Sequence, residues 1–328
     1  MIRIGVIGLG FGKAVHIPAL RLDPRCEVVA ISSRDFAKAS AAAAALGVPR
    51  VYARWEELLA DPGIDAVTIA TPPAVQKLVL PEAIRAGKHV FCEKPMGLSA
   101  ADAGRLAAQA DEAGLANMID YEFPELASFK EAKRRFGELG EPGLIVANWQ
   151  VQASGYRENP PGWKVQPELG GGTLRYLACH CLYYYEWLMG PIASLQGAIE
   201  DDGALVTIRF AFASGASGIL CVGGNRPGVN LHRVELYGSK GAWILENPTP
   251  DYMKGFTLRE LGGGKIMTFE PNSPIDGRIT ATGGITKKFL DWIETGKRAQ
   301  PSLADGARVE FLMEAIERAA GSGSVVNV

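Results

Sequence analysis

Net charge is nearly absent from this chain: 34 basic residues stand against 36 acidic ones among 328, a formal charge of -2. No global field of either sign would hold it on nucleic acid or on an anionic membrane. Any partner must therefore be recognised locally. Cysteine is scarce as well: Cys26, Cys92, Cys179, Cys181 and Cys221 are irregularly spaced and none forms a CxxC pair. A disulfide framework is excluded, and a reducing compartment fits best. No uninterrupted apolar stretch approaches the roughly 18 residues of a membrane span, and Met1 runs straight into Ile2–Gly8 without a charged leader and an apolar block. A soluble cytoplasmic protein is the expectation. What is present is apolar mass: 47% hydrophobic against 21% charged residues suffices for two domains at about 100 to 200 residues each.

From Ile2 to about Ile119, short apolar runs bounded by Gly, Pro or Asp alternate with Ala-rich helical stretches. The runs Ile2–Ile7, Glu27–Ser32, Ala66–Ala70, His89–Cys92 and Ala116–Ile119 lack polar alternation, as strands of a parallel sheet covered on both faces must. Helices are predicted near Asp35–Leu46, Trp55–Ala60, Val75–Ala86 and Ala101–Ala113, the first capped by Ser33 or Asp35. The rhythm is that of a doubly wound α/β domain, residues 1–120.

Beyond Asp120 the strands lengthen, alternate, and follow one another directly. In Ala204–Ala213, Val206, Ile208, Phe210 and Phe212 share one face while Thr207 and Arg209 lie on the other, so the sheet has one wet side. Similar stretches at 144–153, 192–198, 216–222, 232–238, 243–245, 256–260 and 265–269 describe a large, mostly antiparallel sheet in an α+β domain, residues 121–328. A helix at about Gly172–Leu188 interrupts it, and helices near Thr282–Glu294 and Leu303–Ala320 close the chain.

The first strand feeds Gly8-Leu9-Gly10-Phe11-Gly12-Lys13. Glycines at 8 and 10 allow a tight turn and bring bare backbone up to a pyrophosphate at a helix N-terminus. The third glycine of GxGxxG would be residue 13, which is Lys13; Gly12 comes one place early. Directly after the first strand of a βαβ unit, the pattern reads as a dinucleotide site. At the end of the second strand stands Ser33-Arg34, with Lys38 one turn on. A hydroxyl, a guanidinium and an ammonium suit a ribose 2′-phosphate, and no carboxylate occupies the strand tip, so NADP(H) is predicted over NAD(H).

Ala86-Gly87-Lys88-His89-Val90-Phe91-Cys92 runs into Glu93-Lys94-Pro95; Thr71-Pro72-Pro73 follows the fourth strand, and Gly170-Gly171-Gly172 opens the helix bearing His180. With the glycine turn, these motifs resemble the glucose-fructose oxidoreductase / inositol dehydrogenase / MocA family over almost the whole chain. The resemblance implies a Rossmann domain, a C-terminal domain whose open sheet often pairs subunits into homodimers or homotetramers, and hydride transfer between a nicotinamide and a sugar, inositol, polyol or keto-sugar. It also implies cofactor contacts from Gly8, Gly10, Phe11, Gly12, Thr71, Pro72, Gln76 and Glu93, and places Lys94 beside the nicotinamide and the reacting hydroxyl. Tyr176 occupies the position of a common Asp four residues before the family histidine, Tyr183 that of a further Asp, Gln76 that of a histidine, and Glu122, beside Tyr121, that of an Arg. Two rivals come with the resemblance: an NAD-dependent glycosidase acting by transient oxidation, and a non-catalytic, cofactor-sensing regulatory protein.

The chemistry of the residues agrees. Hydride transfer to a carbonyl leaves an alkoxide that needs a proton donor and a nearby positive charge. Lys94, at the carboxyl end of a parallel strand, lies where ligands bind in such sheets. Tyr176 and His180 fall at i, i+4 on one helix face; a phenol can donate to a nascent alkoxide, and the histidine can give or take a proton. Cys179-His180-Cys181 is not read as a metal site, because consecutive helical residues diverge by about 100°. The loop Ser154–Pro167 is long and aromatic, as loops over active sites often are, which makes Tyr156, Arg157, Asn159, Trp163 and Lys164 candidate substrate or nicotinamide contacts.

Overall fold

The computed structural model describes every residue except 98, 159–161, 167–168 and 270–273. Asn159 and Pro167, both named above, lie outside the described residues. The chain divides into two compact units, Met1–Glu122 with Arg278–Glu310, and Phe123–Gly277 with Phe311–Val328. The sequence reading runs its second domain from 121 to the end, whereas the chain returns to the first unit for Arg278–Glu310.

The first unit holds a six-stranded, wholly parallel sheet in the order β3-β2-β1-β4-β5-β6. Its strands are β1 (Ile2–Ile7), β2 (Cys26–Ser32), β3 (Arg50–Tyr52), β4 (Ala66–Ile69), β5 (His89–Cys92) and β6 (Asn117–Ile119). A π-helical turn, Gly12–His16, leads from the glycine turn into the short α1 (Ile17–Leu20). The remaining helices of this stretch are α2 (Phe36–Leu46), α3 (Trp55–Ala60), α4 (Pro73–Arg85) and α5 (Ala100–Glu112). Asp35 caps α2 by accepting the Lys38 N–H at 3.0 Å. Strand β3 is missing from the sequence reading. At three residues, all half-buried, it carries no apolar run.

The core on one side of this sheet joins Ile4, Val6, Ile31, Phe91 and Met118 to Ile285, Phe289, Leu290 and Trp292. The last four come from a helix of the returning segment, Gly277–Thr295. Strand order reverses between β1 and β4, so the crevice beyond their carboxyl ends is the switch point at which open α/β sheets bind ligands.

The second unit starts with α6 (Ala127–Arg134) and β7 (Pro142–Gln152), then α7 (Ser154–Arg157), a π turn at Leu174–Ala178 and α8 (Cys179–Met189). Strands β8 (Ile192–Glu200), β9 (Leu205–Phe212), β10 (Ser217–Gly223), β11 (Asn225–Gly238), β12 (Gly241–Asn247), β13 (Thr257–Glu260), β14 (Ile266–Thr268) and β15 (Val326–Asn327) complete it. The nine-stranded order is β14-β13-β12-β11-β7-β10-β9-β8-β15, antiparallel throughout except for the parallel pair β7–β10. The α9 helix (Gly277–Thr295) and α10 (Leu303–Ser322) follow β14.

In β9, Val206, Ile208, Phe210 and Phe212 are buried and Arg209 is exposed, as the alternation predicts. Every residue of α8 from Cys179 to Tyr185 is buried, the mark of a helix enclosed on all sides. No helix among the described residues is long and apolar enough to cross a membrane.

Candidate functional site

Three glycines divide the work at the β1 exit. Gly8 has φ +102°, and a Cβ there would lie 2.4 Å from the Ala70 carbonyl oxygen, so the turn itself demands glycine. A Cβ on Gly12 would sit 3.0 Å from Val6 Cγ1 and 3.3 Å from Ala70 Cβ, which means Gly12 lets the helix approach the sheet. That is the task of the third glycine in the usual fingerprint. Here it is done one residue early, in company with the wider π-helical turn. Gly10 is different: its φ is not in the left-handed range, and no neighbour among the described residues lies within 4 Å of its Cβ position. Neither backbone nor packing requires glycine at 10, and what its bareness admits is a close-approaching ligand such as a pyrophosphate. Thr71 Oγ1, across the switch point at the end of β4, is buried without a hydrogen-bond partner among the described residues. Phe11 flanks the turn, and the Arg278 guanidinium lies 5.8 Å from its ring centroid.

At the tip of β2, Ser33 is half-buried while Arg34 and Lys38 are exposed. The Lys38 ammonium lies 3.3 Å from Asp35 Oδ2. The Lys38 N–H and ammonium hold the Asp35 carboxyl below its ordinary range.

The carboxyl ends of β5 and β6 bring together a group that sequence reading missed. Lys94 is half-buried just beyond β5, and Glu93 before it is held through its N–H, its carbonyl and one carboxylate oxygen. Its N–H donates to Ile69 O at 2.9 Å, its carbonyl accepts from Gln76 Nε2, and its Oε1 accepts from His16 Nε2 at 2.9 Å. Asp120 Oδ2 lies 3.6 Å from the same nitrogen and accepts from Thr282 Oγ1 at 3.0 Å. Burial alone would push His16 down, but the hydrogen bonds and charges of Asp120 and Glu93 outweigh it and raise the imidazole to about 9. Burial lifts Asp120 to about 6 against the pull of His16.

His16, Glu93 and Asp120 have the composition of a metal triad, with ligand atoms within 4.8 Å of one another. As the chain stands, His16 Nε2 and Glu93 Oε1 share a hydrogen bond of 2.9 Å, which an ion at this position would have to displace. Tyr121 and Glu122 follow Asp120 and are both buried. His16 and Asp120 were findable in principle. Each sits at the carboxyl edge of the parallel sheet, but 16, 93 and 120 are joined only by topology.

In the second unit the glycine triplet seats the aromatic loop. A Cβ on Gly171 would lie 2.2 Å from Trp163 O, and the Gly172 N–H donates to Lys164 O at 2.9 Å. The Lys164 ammonium in turn lies 5.0 Å from the ring centroid of Tyr176 and donates to Ser154 Oγ at 3.1 Å. Tyr156 and Trp163 are half-buried and Arg157 is exposed. Tyr176 stands in the π turn, so the regular α-helix predicted through 172–188 begins only at Cys179.

His180 is 3% exposed, edge-on to Phe123 with centroids 5.3 Å apart and 6.2 Å from Trp149. Trp149 also stacks on His232 at 4.4 Å, and His232 Nε2 meets the Tyr184 hydroxyl at 3.1 Å. Burial drives His232 down to about 3, so it stays neutral. Tyr183 is likewise buried. The second unit thus separates a half-open patch of Tyr176, Lys164, Tyr156 and Trp163 from an enclosed aromatic nest around His180.

Residues 2–121 match the family model described as "Oxidoreductase family, NAD-binding Rossmann fold", and residues 131–244 match the "GFO/IDH/MocA C-terminal domain". The chain is 32% identical to an uncharacterized oxidoreductase of Synechocystis sp., over 97% of this chain and 94% of that protein. It is 26% identical to D-xylose 1-dehydrogenase (NADP(+)) 2 of Haloferax volcanii, over 99% of each. A solved levoglucosan dehydrogenase, in complex with NADH and levoglucosan, shares the fold with a TM-score of 0.89 at 21% identity, covering 100% of this chain and 99% of that one.

Proposed function

This chain belongs to the Gfo/Idh/MocA oxidoreductase family, and from that premise we propose that it moves a hydride between NADP(H) and a sugar, polyol, inositol or keto-sugar, as the names of its relatives suggest. The observation that carries the reading is Gly10, a glycine that no backbone strain and no described neighbour requires, together with a Thr71 hydroxyl buried without a partner among the described residues. Gly8, Gly10, Phe11, Gly12, Thr71, Pro72, Gln76 and Glu93 would frame the cofactor. Held there, a nicotinamide supplies or accepts the hydride.

This chain's side chains handle the proton. In reduction, the Lys94 ammonium donates to the alkoxide oxygen; in oxidation, neutral Lys94 takes the hydroxyl proton. His180 and Tyr176 are proposed as the proton-handling residues of the second unit, with Tyr121, Glu122, Tyr156 and Trp163 as substrate contacts. The preference for NADP(H) is supported by Ser33 and Arg34 at the β2 tip and by Asp35, whose carboxylate is spent on capping α2 and pairing with Lys38. Pairing of chains into a homodimer or homotetramer through the open sheet, in a reducing cytoplasm, completes the proposal; a light-scattering mass of a single chain would overturn the pairing.

The test is a spectrophotometric screen of D-xylose, myo-inositol and levoglucosan with NADP+ and NAD+, alongside fluorescence titrations of NADPH and NADH. Turnover of at least one substrate and tighter binding of NADPH are expected. Cofactor binding without any turnover would overturn the enzymatic reading, and equal affinities would overturn the cofactor preference. In the same assay Tyr176→Phe and His180→Ala should each lower turnover by roughly 10²-fold or more if they handle protons; unchanged rates would reduce them to wall packing.

A further inference from the structure

We propose that His16 is a positioning residue for Lys94, gripping the Glu93 carboxylate and balancing its charge at the strand exit on which Lys94 stands. This rests on the reading of Lys94 given above. The geometry brackets Lys94 on both sides. Glu93 is fixed through three separate bonds: to Ile69 of β4, to Gln76 of α4, and to His16 on the turn that leaves the glycine loop. Two residues after Lys94, the Met96 N–H donates to the buried Glu310 carboxylate at 2.9 Å. Of these restraints only the His16 bond carries a compensating charge to Glu93. A buried carboxylate left without a counter-charge is costly and biases every nearby titration.

The groups facing His16 are the Glu93 and Asp120 carboxylates, the latter anchored by Thr282, together with the rings of Phe11 and Phe91, which lie 5.6 and 4.9 Å from it. Cys92, beside Glu93, is a buried thiol pushed well above its ordinary range and stays neutral. Among the groups just named, His16 is the one cation. Its removal makes the set one unit more negative, which favours the charged form of a neighbouring ammonium. The pH limb belonging to Lys94 should then move to higher pH.

The experiment compares wild type, His16→Gln, Glu93→Gln, the double variant and Lys94→Ala. The pH dependence of kcat is read with whichever of D-xylose, myo-inositol and levoglucosan the screen turns over fastest, and NADPH affinity is read by fluorescence. His16→Gln should lose on the order of 100-fold in kcat, as misplacement of a reacting group does, with the NADPH Kd changed by less than about threefold on the same argument. The upper limb should shift upward in His16→Gln and return toward wild type in the double variant, which restores the net charge that His16, Glu93 and Asp120 carry together in the wild type. An unmoved limb together with kcat within about twofold of wild type would overturn the inference.

Should His16→Gln fail to fold, ¹⁵N histidine shifts of the wild-type protein decide: a protonated His16 at pH 7.5 is required, and a neutral one overturns the proposal. Lys94→Ala separates the two layers. Near-full activity there sinks the reading of Lys94 itself, whereas a dead Lys94→Ala beside an unaffected His16→Gln sinks only the role of His16.

Discussion

At the scale of residues, the most consequential side chain is one that carries no motif. His16 titrates at about 9 in the folded chain against 6.5 in a free side chain, so its protonated form favours folding. That stabilisation is fully present below pH 6.5 and disappears as the pH rises through 9. Asp120 works in the same direction at lower pH: its raised value, about 6 against 3.8, means that ionising it inside the fold costs stability as the pH climbs through that interval. The melting temperature should therefore fall between pH 6.5 and 9, with a visibly smaller fall in His16→Gln. Parallel slopes for the two proteins in a differential scanning experiment would refute the assignment. Lys94, Tyr176 and His180 could be picked out because each stands beside a recognisable sequence landmark. His16, Glu93 and Asp120 could not be grouped, since only the closing of a parallel sheet brings residues 77 and more positions apart to hydrogen-bond distance.

Among elements, the glycine turn makes the sharpest prediction, because its glycines answer to different demands. Gly8→Ala forces a side chain into the left-handed region and against the Ala70 carbonyl, so it should destabilise the fold by about 1–3 kcal/mol. Gly10→Ala meets nothing and should melt like wild type, yet bind NADPH more weakly. Denaturant midpoints and fluorescence titrations on the two variants check this; equal effects on both measurements would contradict the division of labour.

Much of the element order was legible. β1, α3 and β5 run Ile2–Ile7, Trp55–Ala60 and His89–Cys92, the bounds their apolar runs and helical spacing predict, and the alternation in β9 named its buried face correctly. Strand β3 was hidden because three half-buried residues make no pattern. The two π turns were hidden because hydrophobic spacing over five residues does not distinguish them from an α turn. A helix is legible near Thr282–Glu294, where α9 lies, but nothing in those residues says which sheet it covers.

For the whole molecule, that helix decides what counts as a domain. Phe289 is fully buried in the core of the parallel sheet although it follows strands β7 to β14 of the second unit in sequence. Phe289→Ala should cost about 3–5 kcal/mol, and the loss should appear in the unit that binds the cofactor: NADPH should protect the variant against thermal unfolding, and limited proteolysis should cut first within residues 1–122. First cleavage in the nine-stranded sheet would argue against the division. The returning segment also sets an order of events during synthesis. At roughly 5–20 residues per second, residues 1–122 leave the ribosome about 8 to 34 seconds before Phe289, Leu290 and Trp292 arrive. Through that interval the parallel sheet has one apolar face bare, so the nascent chain is a natural client for a chaperone until α9 takes the chaperone's place.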